Sequence, residues 1–200
     1  MFKNIDKKTL AKLVILQISI ITVSNFLVSI PFEILKLKIT WAAFTFPLIV
    51  VATDLTIRIL GQSTARATIA LSYPFAILTS ITTLLIDDTL LSVALRIGVA
   101  SATAYAISTL LDVYVFQIVR EKYRTWWLAP LISTVVANII DTYVFFYAAF
   151  SNSEDVYMAA NWIEIAGTQT IIKILIGILF FLPIYGLILN YFFDRLKNKS

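Results

Sequence analysis

The chain has 200 residues, of which 60% are hydrophobic and 14% charged, and its formal net charge is +4. Soluble domains are about half apolar and about a quarter charged, so this composition indicates an integral membrane protein without a sizeable soluble domain. Histidine and cysteine are both absent, which removes the commonest general base, the commonest metal ligand and all thiol chemistry. We therefore expect neither an enzyme nor a metal or other cofactor.

Six apolar segments are long enough to cross a bilayer, which takes about 20 mostly apolar residues. In chain order they cover residues 10–30, 43–60, 68–86, 90–119, 127–150 and 162–193. The first lacks a small-residue cleavage site, so it is interpreted as a retained helix and not as a signal peptide. The sequence thus predicts an all-α fold, in which residues 1–200 form a single transmembrane domain of six helices.

Basic residues are concentrated in alternate connections between these segments. One set of connections contains Lys3, Lys7, Lys8 and Lys12, then Arg58 and Arg66, then Arg120, Lys122 and Arg124, and finally Arg195, Lys197 and Lys199. The opposite set contains Glu33, Lys36 and Lys38, then Asp87 and Asp88, then Glu154 and Asp155. Because cytoplasmic loops carry the excess of Lys and Arg, both termini are predicted to be cytoplasmic, and the positive charge does not indicate nucleic-acid binding.

The second segment combines an apolar sequence with charged residues. Asp54 and Arg58 are four residues apart, so they share a helix face and can form an ion pair. Pro47 falls near the same face and can bend the helix there. Charges inside a membrane span are costly and usually face the bundle interior, so we interpret this segment as one wall of a polar site.

Polar and aromatic side chains recur at helical spacing in four other segments. These stripes are Thr22, Asn25 and Ser29; Ser101, Tyr105, Ser108 and Asp112; Thr134, Asn138, Asp141 and Phe145; and Gln169, Lys173, Gly177 and Phe180. Asp141 and Lys173 lie near the middle of adjacent antiparallel segments, so we predict that they pair and that Asp54 remains as a second carboxylate. Arg96 and Glu164 lie near span ends, where long side chains reach the interface. The stripes could instead serve only to join helices by hydrogen bonds.

The chemistry of these side chains suits a small, planar, polar solute. Carboxylates accept pairs of parallel N–H groups, such as a guanine-like edge offers, and an amide or Lys can donate to a carbonyl beside it. Aromatic rings can stack on such a solute. The candidate ligand-binding residues are Asp54, Asn138, Asp141, Lys173, Gln169, Asn25, Trp41, Phe44, Tyr105, Asp112, Thr134 and Phe145. On chemistry alone an amino acid or a vitamin is equally compatible.

Five segments carry a resemblance to a known family. They are SNFLVSIPFEIL, TWAAFTFPLIVVATDLTIRILG, AYAISTLLDVYVFQIVR, WWLAPLISTVVANIIDTYVFFYAAF and IKILIGILFFLPIYGLILN. They resemble the queuosine precursor transporters, six-helix bacterial inner-membrane proteins of the vitamin uptake transporter family, nearly end to end. The family's motifs match residues 53–55 and 110–114, together with Ser133, Thr134, Asn138, Asp141, Thr142 and Lys173.

The resemblance implies import of 7-cyano-7-deazaguanine and 7-aminomethyl-7-deazaguanine for queuosine salvage in tRNA. Three alternatives remain open: a transporter for another vitamin-like or nucleobase-like solute, a substrate-binding membrane subunit that needs an external ATPase, and a structural membrane protein that transports nothing. Small-residue helix faces would also allow a homodimer within the lipid bilayer.

Overall fold

Seven helical segments follow one another in the part of the chain that this computed structural model describes, residues 6–28, 31–34 and 37–197. They are α1 (Lys7–Val28), α2 (Ala42–Leu60), α3 (Gln62–Ile86), α4 (Leu91–Lys122), α5 (Leu128–Phe150), α6 (Val156–Ile176) and α7 (Leu182–Lys197). Some residues used in the sequence-based predictions lie outside the described residues: Lys3, Ser29, Ile30, Lys36 and Lys199.

Five helical stretches in the described residues are long and apolar enough to cross a membrane. They are Lys7–Leu27, Gln62–Ile86, Leu91–Lys122, Leu128–Phe150 and Val156–Tyr191. The remaining predicted span, residues 43–60, coincides with α2. The prediction of a helical, multi-pass membrane protein is confirmed.

Two helices begin six residues earlier than their apolar segments predicted, at Gln62 and at Val156. α3 follows α2 after the single residue Gly61, whose φ of +90° is a conformation that glycine adopts readily. α6 begins early because the carboxylate of Asp155 caps it and accepts a hydrogen bond of 3.0 Å from the Met158 backbone N–H. The polar first turn of α3, which begins with Gln62, Ser63 and Thr64, lies outside the apolar stretch that hydropathy detects.

A short β-hairpin between α1 and α2 adds a feature that the all-α prediction lacked. Strand β1 (Pro31–Ile34) pairs antiparallel with β2 (Leu37–Thr40), and Pro31 lies opposite Thr40. Apolar residues alternate with polar residues in this stretch, and that period of two is typical of strands. Pro31 has no N–H to donate to the strand ladder, and it is tolerated because it is the first residue of its strand.

A π-helical segment, Gly177–Phe181, joins α6 to α7 without a break. The sequence predicted that Phe180 would face inward with Gln169, Lys173 and Gly177. This was wrong: the Phe180 side chain is 55% exposed, whereas Phe181 is buried. The wider i→i+5 turn of a π segment inserts an extra residue and so rotates the following side chains around the helix.

Helix α4 lies at the centre of the bundle and packs against α3 on one side and α5 on the other. α1 packs against α2 and α3, and α6 packs against α5. Phe116 and Val113 of α4, Ile57 of α2, Ile69 of α3 and Tyr185 of α7 belong to one buried cluster. Side chains of α2, α4, α5, α6 and α7 are therefore held close enough to build a shared interior site.

Arg96, near the start of α4, caps the neighbouring helix α5. Its guanidinium donates to the backbone carbonyls of Ala148, Ser151 and Asn152, at the end of α5. A cation there satisfies unpaired carbonyls and complements the helix dipole.

We expect Arg96→Ala to destabilise the protein by about 1 kcal/mol, because a half-solvated capping cation contributes on that scale. In a chain of this length the midpoint of thermal unfolding in detergent should fall by roughly 2–4 °C. Arg96→Lys keeps the charge but not the fork of donors, so it should lose less. An unchanged midpoint in Arg96→Ala would contradict the capping role.

Candidate functional site

An ion pair joins α5 to α6 inside the bundle, as the sequence predicted. The Lys173 ammonium lies 3.0 Å from Oδ2 of Asp141, and the two side chains are only 18% and 7% exposed. Lys173 also donates to Thr142 Oγ1 at 3.3 Å, and Ser108 of α4 donates to the other Asp141 oxygen at 3.3 Å. Both carboxylate oxygens of Asp141 are therefore engaged, and three helices meet at this cluster.

Two further carboxyl groups meet at the junction of α2, α4 and α5. Asp54 and Asp112 lie close enough to act on each other electrostatically, and Ser133 adjoins both of them. The side chains are 1% and 0% exposed. Neither oxygen of Asp112 accepts a hydrogen bond, nor does Oδ1 of Asp54. The sequence treated these two residues as members of separate stripes, and the fold brings them together.

Arg58 does not form the ion pair that its spacing from Asp54 suggested. Its guanidinium instead donates to the Trp126 carbonyl at 3.1 Å and lies over the rings of Phe116 and Tyr185, 5.7 and 5.5 Å from their centroids. Lys173–Asp141 is the one ion pair within 4.0 Å among the described residues, so Arg58 and Asp54 do not form one. The positive charge of Arg58 acts on Asp54 only over a longer distance.

A hydrogen-bonded chain links α1, α2 and α4. The Tyr105 hydroxyl donates to Oε1 of Gln17, and the Gln17 amide donates to Thr53 Oγ1 at 3.1 Å. Gln17 is only 3% exposed. Tyr105 was predicted as a stacking ring, and its hydroxyl is held in this chain. The sequence analysis missed Gln17, although a lone Gln within an apolar span is itself a signal of an interior polar contact.

Asn138 of α5 carries an open hydrogen-bond acceptor in the bundle interior. Its side-chain amide donates to the backbone carbonyl of Thr134, one turn earlier, at 2.9 Å. Its side-chain oxygen accepts no hydrogen bond, although the residue is 0% exposed. A buried acceptor without a donor costs free energy, so this oxygen is suited to receive an N–H group from a ligand.

A small cavity of about 10 Å³ lies between α2, α5, the π segment and α7. That volume is about the room that one water molecule needs. Its walls are Pro47, Val51, Asp54, Pro130, Leu131, Thr134, Gly177, Ile178, Phe181, Leu182 and Tyr185. Pro47 thus shares a face with Asp54, as predicted. Tyr185, which the sequence analysis did not single out, is 1% exposed, and its hydroxyl has no hydrogen-bond partner.

The candidate aromatic residues lie in two groups. Phe44 is half-buried, with its ring centroid 5.9 Å from that of Trp41 and 6.4 Å from that of Phe180. Trp41 itself is 47% exposed. Phe145 packs edge-on against Phe146 and against the last residue of α5. The Phe44 group adjoins the cluster of Ile176 and Phe181, next to the cavity.

Two polar candidates occupy different surroundings. Asn25 donates to Ser80 Oγ at 2.9 Å and to Thr79 Oγ1 at 3.3 Å, so it joins α1 to α3 in the way expected of hydrogen bonds between membrane helices. Gln169 is half-buried on α6, one turn before Lys173. The structure thus brings Asp54, Asp112, Asn138 and the Asp141–Lys173 pair into the interior.

Comparison with known proteins assigns the family. The family model described as "Putative vitamin uptake transporter" matches residues 40–188. The chain belongs to this vitamin uptake transporter family. The "Queuosine precursor transporter" of Escherichia coli (strain K12) is 43% identical over 96% of this chain and 92% of its own length. The "Probable queuosine precursor transporter" of Haemophilus influenzae is 37% identical over 90% of this chain and 86% of its own length. No solved structure matches the chain.

Membership of the vitamin uptake transporter family confirms the resemblance found in the sequence, and it confirms a transporter in place of an enzyme. In this family member the interior holds two polar clusters. One is the compensated pair Asp141–Lys173, and the other is the pair of carboxyls Asp54 and Asp112. Asn138 supplies an open acceptor in the bundle interior, and the cavity supplies a small space beside Asp54.

Proposed function

We propose that the protein imports queuosine precursors, 7-cyano-7-deazaguanine and 7-aminomethyl-7-deazaguanine, across the bacterial inner membrane. The observation that carries the proposal is the 43% identity, over 96% of the chain, to the Queuosine precursor transporter of Escherichia coli. The polar interior supports it, because a 7-deazaguanine presents parallel N–H donors and a carbonyl on one edge. Both termini are cytoplasmic in this proposal, and the basic connections support that orientation.

Recognition of the guanine-like edge is assigned to the interior polar groups. Asp54, on the cavity wall, would accept the paired N–H groups, since a carboxylate matches two parallel donors. Asn138, whose side-chain oxygen accepts no bond within the protein, would accept a further N–H group. The Asp141–Lys173 pair and Gln169 would bound the site on the α6 side. Stacking would come from the predicted aromatic residues Trp41, Phe44, Tyr105 and Phe145.

Binding must widen the cavity. A bicyclic ligand needs far more than about 10 Å³, since ligand pockets typically enclose about 300 Å³ or more. Pro47, inside α2, and residues of the π segment Gly177–Phe181 line the cavity, and both features interrupt regular helical hydrogen bonding. We propose that the wall formed by the π segment and α7 moves away from α2 and α5 when the substrate enters.

A melting experiment tests the substrate class. We expect 7-cyano-7-deazaguanine at 100 times its dissociation constant to stabilise the purified protein by about 2.7 kcal/mol, because it binds only the folded state. The unfolding midpoint should then rise by roughly 5–10 °C. Guanine is the control, because it lacks the 7-deaza ring and its substituent. Equal shifts with both compounds, or no shift with either deazaguanine, would contradict the proposal.

Asn138→Leu should abolish most transport while leaving the fold intact. Its side-chain oxygen makes no bond within the protein, so its loss removes an unsatisfied acceptor and leaves stability nearly unchanged. Without this acceptor a ligand N–H group is buried unsatisfied at a cost of roughly 1–3 kcal/mol, which lowers uptake roughly 5- to 150-fold. The measurement is uptake of labelled 7-cyano-7-deazaguanine by cells, normalised to the amount of protein in the membrane.

Asn161→Leu on α6 is the matched control. The Asn161 amide donates to the carbonyl of Tyr157, one turn earlier, at 2.8 Å, just as Asn138 donates to Thr134. Both variants therefore lose the same bond within a helix, but only Asn138 loses an acceptor in the bundle interior. If the two variants transport equally well, Asn138 does not contact the substrate.

A further inference from the structure

We infer that the Asp54–Asp112 pair binds one proton and that substrate binds only when this proton is in place, so that import is proton-coupled. The inference deepens the proposed function and rests on it. Asp54 would face the substrate, and Asp112, which is 0% exposed and is not part of the cavity wall, would hold the proton behind it.

The lack of donors around the pair is the first observation. The two carboxyls are buried neighbours that act on each other electrostatically, yet both oxygens of Asp112 and Oδ1 of Asp54 lack a hydrogen bond. The one hydroxyl that adjoins both carboxyls is that of Ser133, which also lies 3.4 Å from the Pro130 carbonyl. A hydroxyl has a single proton to donate, so Ser133 cannot supply donors to both carboxyls. Two neighbouring carboxylates in a buried site repel each other, and such a pair characteristically shares a proton. A proton on Asp112 would make that group the missing donor to Asp54.

The surrounding charges can neutralise only part of the pair. The charged or titratable side chains around the pair are Arg58 from α2, which acts on Asp54, and Tyr185 from α7; Arg120 from α4 acts on Tyr185. Arg58 donates to a backbone carbonyl and lies over two aromatic rings, and Arg120 is exposed and donates to the Ile57 carbonyl at 3.4 Å. Neither forms an ion pair with Asp54 or Asp112 within 4.0 Å. The nearby charge of Arg58 can balance one carboxylate, and the other needs a proton.

Tyr185 supplies the second, independent observation. Its hydroxyl is buried and has no hydrogen-bond partner, and the residue lines the cavity that Asp54 also lines. The cavity has room for about one water. A water between a hydroxyl and a carboxylate satisfies both and can carry a proton between the cavity and the pair. The unpartnered hydroxyl and the small cavity therefore provide a route to an otherwise sealed site.

The proton also determines which Asp54 oxygen is available. When an O–H bond forms on Asp112, that hydroxyl donates to one oxygen of Asp54 and fixes the carboxylate. Asp54 then remains a negatively charged carboxylate, and its oxygen that faces the cavity can accept hydrogen bonds from ligand N–H groups. When the O–H bond breaks on the cytoplasmic side, the proton returns to water and the two carboxylates repel. Substrate and proton thus bind together and leave together.

The test counts protons during binding by the purified full-length protein. Calorimetric titration with 7-cyano-7-deazaguanine in two buffers of different ionisation enthalpy gives the number of protons taken up. We expect proton uptake per substrate to rise from near zero, at a pH where the free pair already holds its proton, to about one at a pH where the free protein has lost it. Over that upper range the apparent dissociation constant should rise up to tenfold per pH unit. Binding by the unaltered protein without proton uptake over the whole pH range in which it stays folded, with an unchanged dissociation constant, would overturn the inference.

Asp112→Asn supplies a hydrogen-bond donor at residue 112 that does not depend on binding a proton. An amide N–H at residue 112 donates permanently to Asp54, as the protonated acid would, so we expect retained binding, no proton uptake and no pH dependence. Glu164→Gln makes the same chemical change on an exposed carboxyl and should leave the proton count at one. A proton count of one in Asp112→Asn would place the proton elsewhere and overturn the assignment.

The remaining outcomes distinguish the inference from the proposed function. If 7-cyano-7-deazaguanine does not bind at all, the proposed function fails and the coupling role fails with it. If it binds without proton uptake, and more tightly in sodium chloride than in choline chloride, the proposed function stands and the proton site is wrong. Both results come from the unaltered protein, so a variant that fails to fold does not obscure them.

Discussion

Lys173→Met is expected to destabilise the protein by about 3 kcal/mol, because removing one partner of a buried ion pair leaves the other charge uncompensated. Lys173 lies 3.0 Å from Asp141, whose side chain is 7% exposed, and the remaining donor to that carboxylate is the Ser108 hydroxyl. The unfolding midpoint in detergent should fall by roughly 6–12 °C. Uptake should be lost as well, since this pair bounds the proposed site.

The double variant Lys173→Met with Asp141→Asn is the decisive control. Both charges are absent there, so no buried carboxylate remains without a cation, and most of the lost stability should return. The two single changes should therefore be strongly non-additive, as expected for side chains in direct contact. Losses that simply add up in the double variant would mean that the pair contributes no coupling, and the ion pair would then not hold α5 to α6.

The Asp141–Lys173 pair shows how far sequence alone can predict an interior contact. Each residue lies near the middle of an apolar segment, and antiparallel neighbours bring such residues to the same depth. An unpaired charge at that depth is costly, so opposite charges on adjacent spans must find each other. Helical periodicity similarly predicted that Tyr105, Ser108 and Asp112 share a buried face of α4, and all three are buried.

The pair Asp54–Asp112 could not be predicted in the same way. Asp54 and Arg58 are four residues apart, and this spacing predicts an ion pair within one helix. In the structure the Arg58 guanidinium is drawn to a carbonyl and two rings, so Asp54 meets Asp112 instead. Like charges on separate helices carry no signal of mutual contact in a sequence, since their approach depends on how three helices pack.

The π segment and the hairpin mark the other limits of the sequence analysis. A π turn changes which residue faces inward by one position, as with Phe180 and Phe181, and ordinary helical periodicity cannot detect it. The hairpin at Pro31–Thr40 is shorter than the windows that reveal membrane spans. Its alternating apolar residues were a usable signal. Gln17 and Tyr185 were not predicted, because the groups near an isolated polar side chain lie on other helices and can be identified only in the folded bundle.

Stripes of small residues on α4 account for its close approach to α3. Ala94, Gly98 and Ala102 are spaced four apart and buried, a pattern that lets membrane helices pack with their backbones close together. At Gly98, an added Cβ would lie 2.5 Å from Ile81 Cγ1 and 3.1 Å from the Ile81 backbone nitrogen. This face is thus used within the protomer, and the predicted homodimer would need another face.

Gly98→Val is therefore expected to force α3 and α4 apart and to destabilise the protein by about 2–3 kcal/mol, the upper range for overpacking. The flexible Ile81 side chain can move, but the α3 backbone cannot yield without displacing the helix. The unfolding midpoint should drop by roughly 5–10 °C. Because α4 also carries Tyr105, Ser108 and Asp112, its displacement should disturb both polar clusters, and uptake should fall even in protein that still folds.

Gly167→Val on α6 is the matched control for this change. A Cβ at Gly167 would meet only the Tyr143 hydroxyl, at 3.5 Å, which is an ordinary van der Waals distance. Glycine disfavours a helix interior by about 1 kcal/mol relative to alanine, so both valine variants gain similar helix propensity and differ only in steric contact. Similar midpoints for the two variants would show that α3 and α4 can separate at little cost, and the close Gly98–Ile81 contact would then not determine the position of α4 in the bundle.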